Sequence, residues 1–169
     1  VKISGVHHQP DGAAFDVVLI LHVGCVVVGL ATLVASAATA TSLRRLLRDA
    51  APFPDAVVRY FRPGINWAGR AVYGVPIFGF ALLALSHGAY SLRDGWVTGG
   101  LAIFVGVIYL TEATLWPAER RLQVSLVAVS AGGTPVDPSV RRDATAMVRA
   151  SIAALVLLVA GSVLMLVQP

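Results

Sequence analysis

The sequence predicts an all-α protein, a bundle of four transmembrane helices, and three observations predict it. Of 169 residues, 57% are hydrophobic and only 13% are charged, about half the ~25% charge of ordinary soluble domains. The apolar residues fall into four runs, each near the ~20 residues that cross a bilayer as a helix. The arginines gather at the ends of those runs, as they do where helices leave lipid.

These observations also exclude classes. A mean hydropathy of +0.78 means more apolar surface than a water-soluble fold of this length can hide, whereas lipid can act as its solvent. The net charge of +4 would suit nucleic acid if it formed a stripe. Clustered at span ends, it predicts a bilayer as partner and no nucleic acid. The single cysteine, Cys25, excludes an intrachain disulfide and reads as a small apolar packing residue.

Residues 1–14, VKISGVHHQPDGAA, form a polar tail with Pro10 and an Asp11-Gly12 turn signal. The adjacent His7 and His8 in it read as solvated side chains. Residues 15–169 form the membrane domain. Span one covers about 15–41, with Asp16 favouring its N-terminal amides and His22 the only sizeable polar side chain within it. Ala35-Ser36-Ala37 resembles a secretory cleavage site, but only Lys2 precedes the run and a long polar stretch separates them. A retained span is the expectation. Leu43 to Asp49 continues the helix into water.

Pro52, Pro54 and Pro63 then oppose a continuous helix and leave a connector with a short helix around Asp55 to Phe61. Val57, Val58, Tyr60 and Phe61 beside Arg59 and Arg62 suit a segment lying on the membrane surface. Span two covers about 67–90, with Gly74 and Gly79 for close approach and a kink at Pro76. The short turn Ser91-Leu92-Arg93-Asp94-Gly95 makes spans two and three an antiparallel hairpin. Span three covers about 96–115, with Trp96 and Trp116 as interfacial anchors, and Pro117-Ala118-Glu119-Arg120-Arg121 leaves the membrane. Leu122 to Val129 continues as helix until Gly132-Gly133-Thr134-Pro135 breaks it. Asp137-Pro138-Ser139 starts the helix that enters span four, about 144–167.

Orientation follows from the basic residues. Arg44, Arg45, Arg48, Arg59, Arg62 and Arg70 follow span one, and Arg120, Arg121, Arg141, Arg142 and Arg149 follow span three. Only Lys2 and Arg93 lie on the opposite side. Positive residues stay in the cytoplasm, so both termini are expected outside and the two arginine-rich loops inside, in a bacterial plasma membrane.

Two features carry candidate chemistry. His22 and His87 each lie ~10 Å below the outer surface at helical rise, the matched depth that a pair of haem b or metal ligands on different helices requires. His22-x-x-Cys25 adds a soft donor on the same face. The plainer reading gives each imidazole a hydrogen bond within the bundle. Glu112 is an ionisable group inside a span, costly unless paired, and Arg70 and Arg149 are expected at its level. An ion pair of Glu112 with Arg70 or Arg149 would staple the bundle. A proton relay with Tyr109 is the functional alternative. The sequence holds no phosphate loop, HExxH or nucleophile elbow, and leans away from an enzyme.

The stretch Leu21-His22-Val23-Gly24, with Asp94-Gly95-Trp96, Pro117-Ala118-Glu119-Arg120-Arg121 and a basic lead-in to the last span, resembles an uncharacterised bacterial family of four-helix integral membrane proteins. More distantly it is similar to the copper-resistance D-type and haem-binding four-helix membrane proteins. That likeness implies a haem-ligand role for His22 alone. The expected function is a small accessory or structural subunit, as a homo-oligomer or with other membrane subunits. The alternatives are a haem- or metal-binding redox protein using His22 and His87, and a small transporter or copper-handling protein.

Overall fold

The computed structural model describes residues 12–130 and 138–167. The tail with His7 and His8, the Gly132-Gly133-Thr134-Pro135 break and Asp137 lie outside them. All elements among the described residues are helical: α1 (Ala13–Asp49), α2 (Asp55–Tyr60), α3 (Trp67–Arg70), α4 (Gly74–Leu85), α5 (Gly95–Leu110), α6 (Trp116–Ser130) and α7 (Pro138–Leu166). A 3₁₀ turn, Ala71–Tyr73, joins α3 to α4, and a π-helical turn, Thr111–Leu115, joins α5 to α6. Four continuous helices are therefore long and apolar enough to cross a membrane: Ala13–Asp49, Trp67–Leu85, Gly95–Val129 and Pro138–Leu166.

Helix α1 buries one seam, His22, Gly29, Leu33, Ser36, Ala40 and Leu43, at the three- and four-residue spacing of a helix face. Helix α7 does the same with Val140, Ala144, Met147, Ser151, Ala154, Leu158 and Gly161. These two helices pack together at the centre, with α4 on the outer side of α1 and α5 on the outer side of α7. The pairs run antiparallel. Cys25 meets Gly74 and His22 meets Gly79, while Leu164 lies 3.1 Å from where a Cβ on Gly99 would sit, and Leu157 3.1 Å from that of Gly106. Glycine lets these α7 leucines pack directly on the α5 backbone, which is how helices associate where lipid removes the hydrophobic incentive.

The buried core lies toward one end. Leu43, Val57, Phe61, Leu115, Trp116, Leu122, Val140 and Met147 belong to it, whereas Ile20, Val23, Val27, Ile77, Phe80 and Val105 toward the other end are exposed. The antiparallel packing gathers the end of α1, all of α2, α3 and α6, and the start of α7 at the core end. Those segments hold the two arginine-rich stretches.

Several expectations are corrected. Helix α4 stops at Leu85, so span two is shorter than 67–90. Ser86 Oγ donates to the Leu83 carbonyl at 2.8 Å and accepts the Tyr90 N–H at 3.3 Å, and His87 and Gly88 take positive φ, which ends the helix. Helices α4 and α5 scarcely touch despite their short connection, because each packs on a different central helix. Helix α2 does not simply lie on a surface, since Val57 and Phe61 are buried in the core. Trp116, expected as an interfacial anchor, is buried within the protein, and Trp67 is an exposed indole, at 75%.

Span three does not end at Leu115 either. Pro117 has no N–H to give, and the π turn absorbs the defect: the Trp116 N–H reaches back five residues to the Thr111 carbonyl. The buried positions Val107, Thr111, Leu115, Ala118, Leu122 and Leu126 recur at almost four-residue intervals. On an unbroken α-helix they would drift by about 100°, and one additional residue in the π turn returns them to a single face.

Candidate functional site: a polar cluster where α3 meets the π turn

The cluster assembles from three short signals. Asn66 caps α3, its Oδ1 accepting the Gly69 N–H at 3.1 Å. That start sets Arg70 and Tyr73 one turn apart, facing the rod that carries Glu112 and Trp116. Glu112 lies in the first turn of the π segment, where the wider helix re-aims its side chain.

Tyr73 donates its hydroxyl to Glu112 Oε1. Arg70 Nη1 stands 3.7 Å from the same oxygen. The guanidinium also lies over Trp116, its Cζ 3.3 Å from the ring centroid, a cation–π contact that strengthens away from water. Tyr73 also packs against that indole, with centroids 5.6 Å apart and the rings tilted at 53°. A carboxylate, its cation, a phenol and an indole therefore form one closed set in which each charge has a partner.

Beneath it lies a second, more buried layer. Glu119, seven residues after Glu112, is only 5% exposed. Asn66 reaches both Glu119 and the Tyr60 hydroxyl, and the Arg70 charge acts on Glu119. Tyr60 OH and Ser36 Oγ share a hydrogen bond of 2.7 Å. Thr32, Ser36, Asn66, Thr111, Trp116 and Glu119 line a narrow cavity with room for roughly one water molecule. Burial, with the Glu119 carboxylate beside it, pushes the Tyr60 hydroxyl from its ordinary 10 up to about 12, against the Ser36 and Asn66 hydrogen bonds.

Of the residues singled out in the sequence, Arg70 and Glu112 are brought together. Arg149 is exposed and makes no salt bridge to Glu112. Tyr109, the suggested relay partner, is 67% exposed, and Tyr73 occupies that place instead. His22 is buried on the α1 seam, its ring 3.4 Å from the Cβ position of Gly79 and facing the Val75 carbonyl. His87 is exposed in the turn after α4. Gly79, which His22 meets, lies within α4, whereas His87 lies two residues beyond the end of that helix. Cys25 packs on Gly74 and does not join His22 in a ligand set. No group of three or more His, Cys, Asp or Glu side chains able to hold a metal occurs among the described residues.

Sequence reasoning missed Glu119, Tyr60 and Asn66. Glu119 stands in a run of charges that looks solvated, and its burial depends on the phase change at the π turn. A second cross-link was also missed: Arg121 and Asp143 join α6 to α7, with Nη2 to Oδ1 at 2.8 Å and Nε to both carboxylate oxygens at 3.0 Å.

No family model, curated protein or solved structure matches this chain.

Proposed function

We propose that this chain is a multi-pass protein of the bacterial plasma membrane that serves as a small accessory or structural subunit, in a homo-oligomer or a larger membrane assembly. The observation that carries the proposal is the way its polar groups are used. Glu112, Arg70 and Tyr73 satisfy one another, as do Arg121 and Asp143, and both sets tie helices together. Outward, the long helices offer apolar side chains such as Ile20, Ile77, Val105, Val156 and Val163, which suit lipid and neighbouring helices equally well. The likeness of Leu21-His22-Val23-Gly24 to small four-helix membrane proteins points the same way. With both arginine-rich stretches at one end, the positive-inside rule sets that end in the cytoplasm and both termini outside.

The test is the mass of the protein extracted from its native membrane with its lipid annulus. The proposal expects a homo-oligomer or a stoichiometric complex with another membrane subunit. A monodisperse monomer would contradict it.

A second reading rests on His22. Its Nδ1 is buried without a hydrogen-bond partner, and a buried imidazole nitrogen left free is a candidate haem or metal ligand. A reduced-minus-oxidised absorption spectrum with a haem band that disappears in His22→Ala would favour this reading. A colourless protein prepared with haem supplied removes it.

A further inference from the structure

At the arginine-rich end, α1 and α7 border an open cavity of about 220 Å3 lined by Thr41, Arg44, Arg45, Arg48 and Arg141. Arg48 is held by Asp49 at 2.8 Å, and Asp49 is also the negative charge felt by Arg45. Among the described residues, no carboxylate lies within salt-bridge distance of Arg44, Arg45 or Arg141. Asp143, on the helix that carries Arg141, is engaged by Arg121. Four guanidinium groups thus share one concave space, with Asp49 beside them among the described residues. These side chains are exposed, so water screens part of their mutual repulsion, and an anion held between them would relieve the rest.

Depth narrows the ligand. The apolar run of α1 ends at Thr41, and Arg44 follows within one turn. On α7, Arg141 precedes by one turn the apolar stretch that starts at Ala144. The cavity therefore opens just outside the hydrocarbon layer, at the level of lipid phosphates. Arginine is the side chain whose planar fork matches phosphate oxygens.

We infer that the α1–α7 cavity is a binding site for a phosphate-bearing anion, with the headgroup of an anionic phospholipid as the occupant its depth favours. The inference rests on these helices spanning a bilayer, not on the subunit role. It would tie α1 to α7 through the lipid.

The test uses the full-length protein in detergent, with native mass spectrometry after addition of phosphatidylglycerol or phosphatidylcholine, and separately of pyrophosphate. The variants are Arg44→Gln/Arg141→Gln and, at the opposite end, Arg93→Gln. Retention of phosphatidylglycerol over phosphatidylcholine is expected, weakened by about fivefold per arginine removed and unchanged in Arg93→Gln. Pyrophosphate held by the wild type but not by the double variant, with no lipid preference, would keep the phosphate site but make its occupant soluble. Equal retention of both lipids and no pyrophosphate binding, or the same preference in the double variant, would overturn the inference. Extraction of the membranes at alkaline pH separates this failure from the other: a protein released by it never spanned the bilayer.

Discussion

At the scale of single residues, Glu112 illustrates how an ionisable group is kept inside an apolar rod. It does not stand alone but accepts from Tyr73 and faces Arg70. Its side chain is half exposed, so screening limits its worth. Glu112→Gln is expected to lower stability in detergent by about 1 kcal/mol by removing the charge that faces Arg70, and Tyr73→Phe should add little to Glu112→Ala, which removes the acceptor the two share. Additive losses in thermal unfolding would show that they act separately.

Tyr60 carries a prediction with a definite sign. Its hydroxyl titrates near 10 when unfolded and about 12 when folded, so the folded state favours the neutral form. Below pH ~10 both states keep the proton and the contribution is whole; between about 10 and 12 the unfolded chain ionises first and the contribution is lost. Unfolding temperatures compared from about pH 8 to 11 should fall more steeply for wild type than for Tyr60→Phe. Parallel curves would remove Tyr60 as the cause.

At the scale of elements, close packing depends on particular glycines. The Cys25 thiol fills the space in front of Gly74, and a methyl group there has nowhere to go. Gly74→Ala should cost about 1–3 kcal/mol, and Cys25→Ala in the same chain should recover most of it by clearing the sulfur. Failure of that rescue would mean that Gly74 is needed for its backbone, next to the 3₁₀ turn, and not for the contact.

The elements also show what the sequence could disclose. The spans were legible because length and apolar content suffice, and Arg70 with Glu112 was legible because a charge in a span calls for a partner at its own depth. The end of α4 was not, since Ser86 caps it with a side chain that reads as ordinary polar sequence, and so His87 looked like a residue at matched depth with His22. The burial of Glu119 was hidden for a different reason. The near-four-residue recurrence from Val107 to Leu126 and the position of Pro117 together signal a π turn, but only once the run is treated as one helix. Pro117 suggested the opposite.

At the scale of the whole molecule, two zones divide the work. One end has a packed core with α2 tucked into it and polar groups cross-linking the helices. The other presents apolar side chains outward around seams of glycine and small residues. This asymmetry fits a protein anchored by lipid toward one end and held together by its own core toward the other, with the arginine-lined cavity at the core end. The central claim is that these helices cross a bilayer with the arginine-rich end in the cytoplasm.

The most direct measurement is labelling by a membrane-impermeant maleimide in intact cells, using Cys25→Ala chains that carry either Ser91→Cys, in the turn between α4 and α5, or Ala128→Cys, near the end of α6. Both positions are exposed on the protein, so packing against the other helices shields neither from the reagent. The account predicts that Ser91→Cys is labelled at once and Ala128→Cys only after permeabilisation. Labelling of Ala128→Cys in intact cells, with Ser91→Cys protected, would contradict the orientation, and labelling of both in intact cells would contradict the four-span arrangement itself.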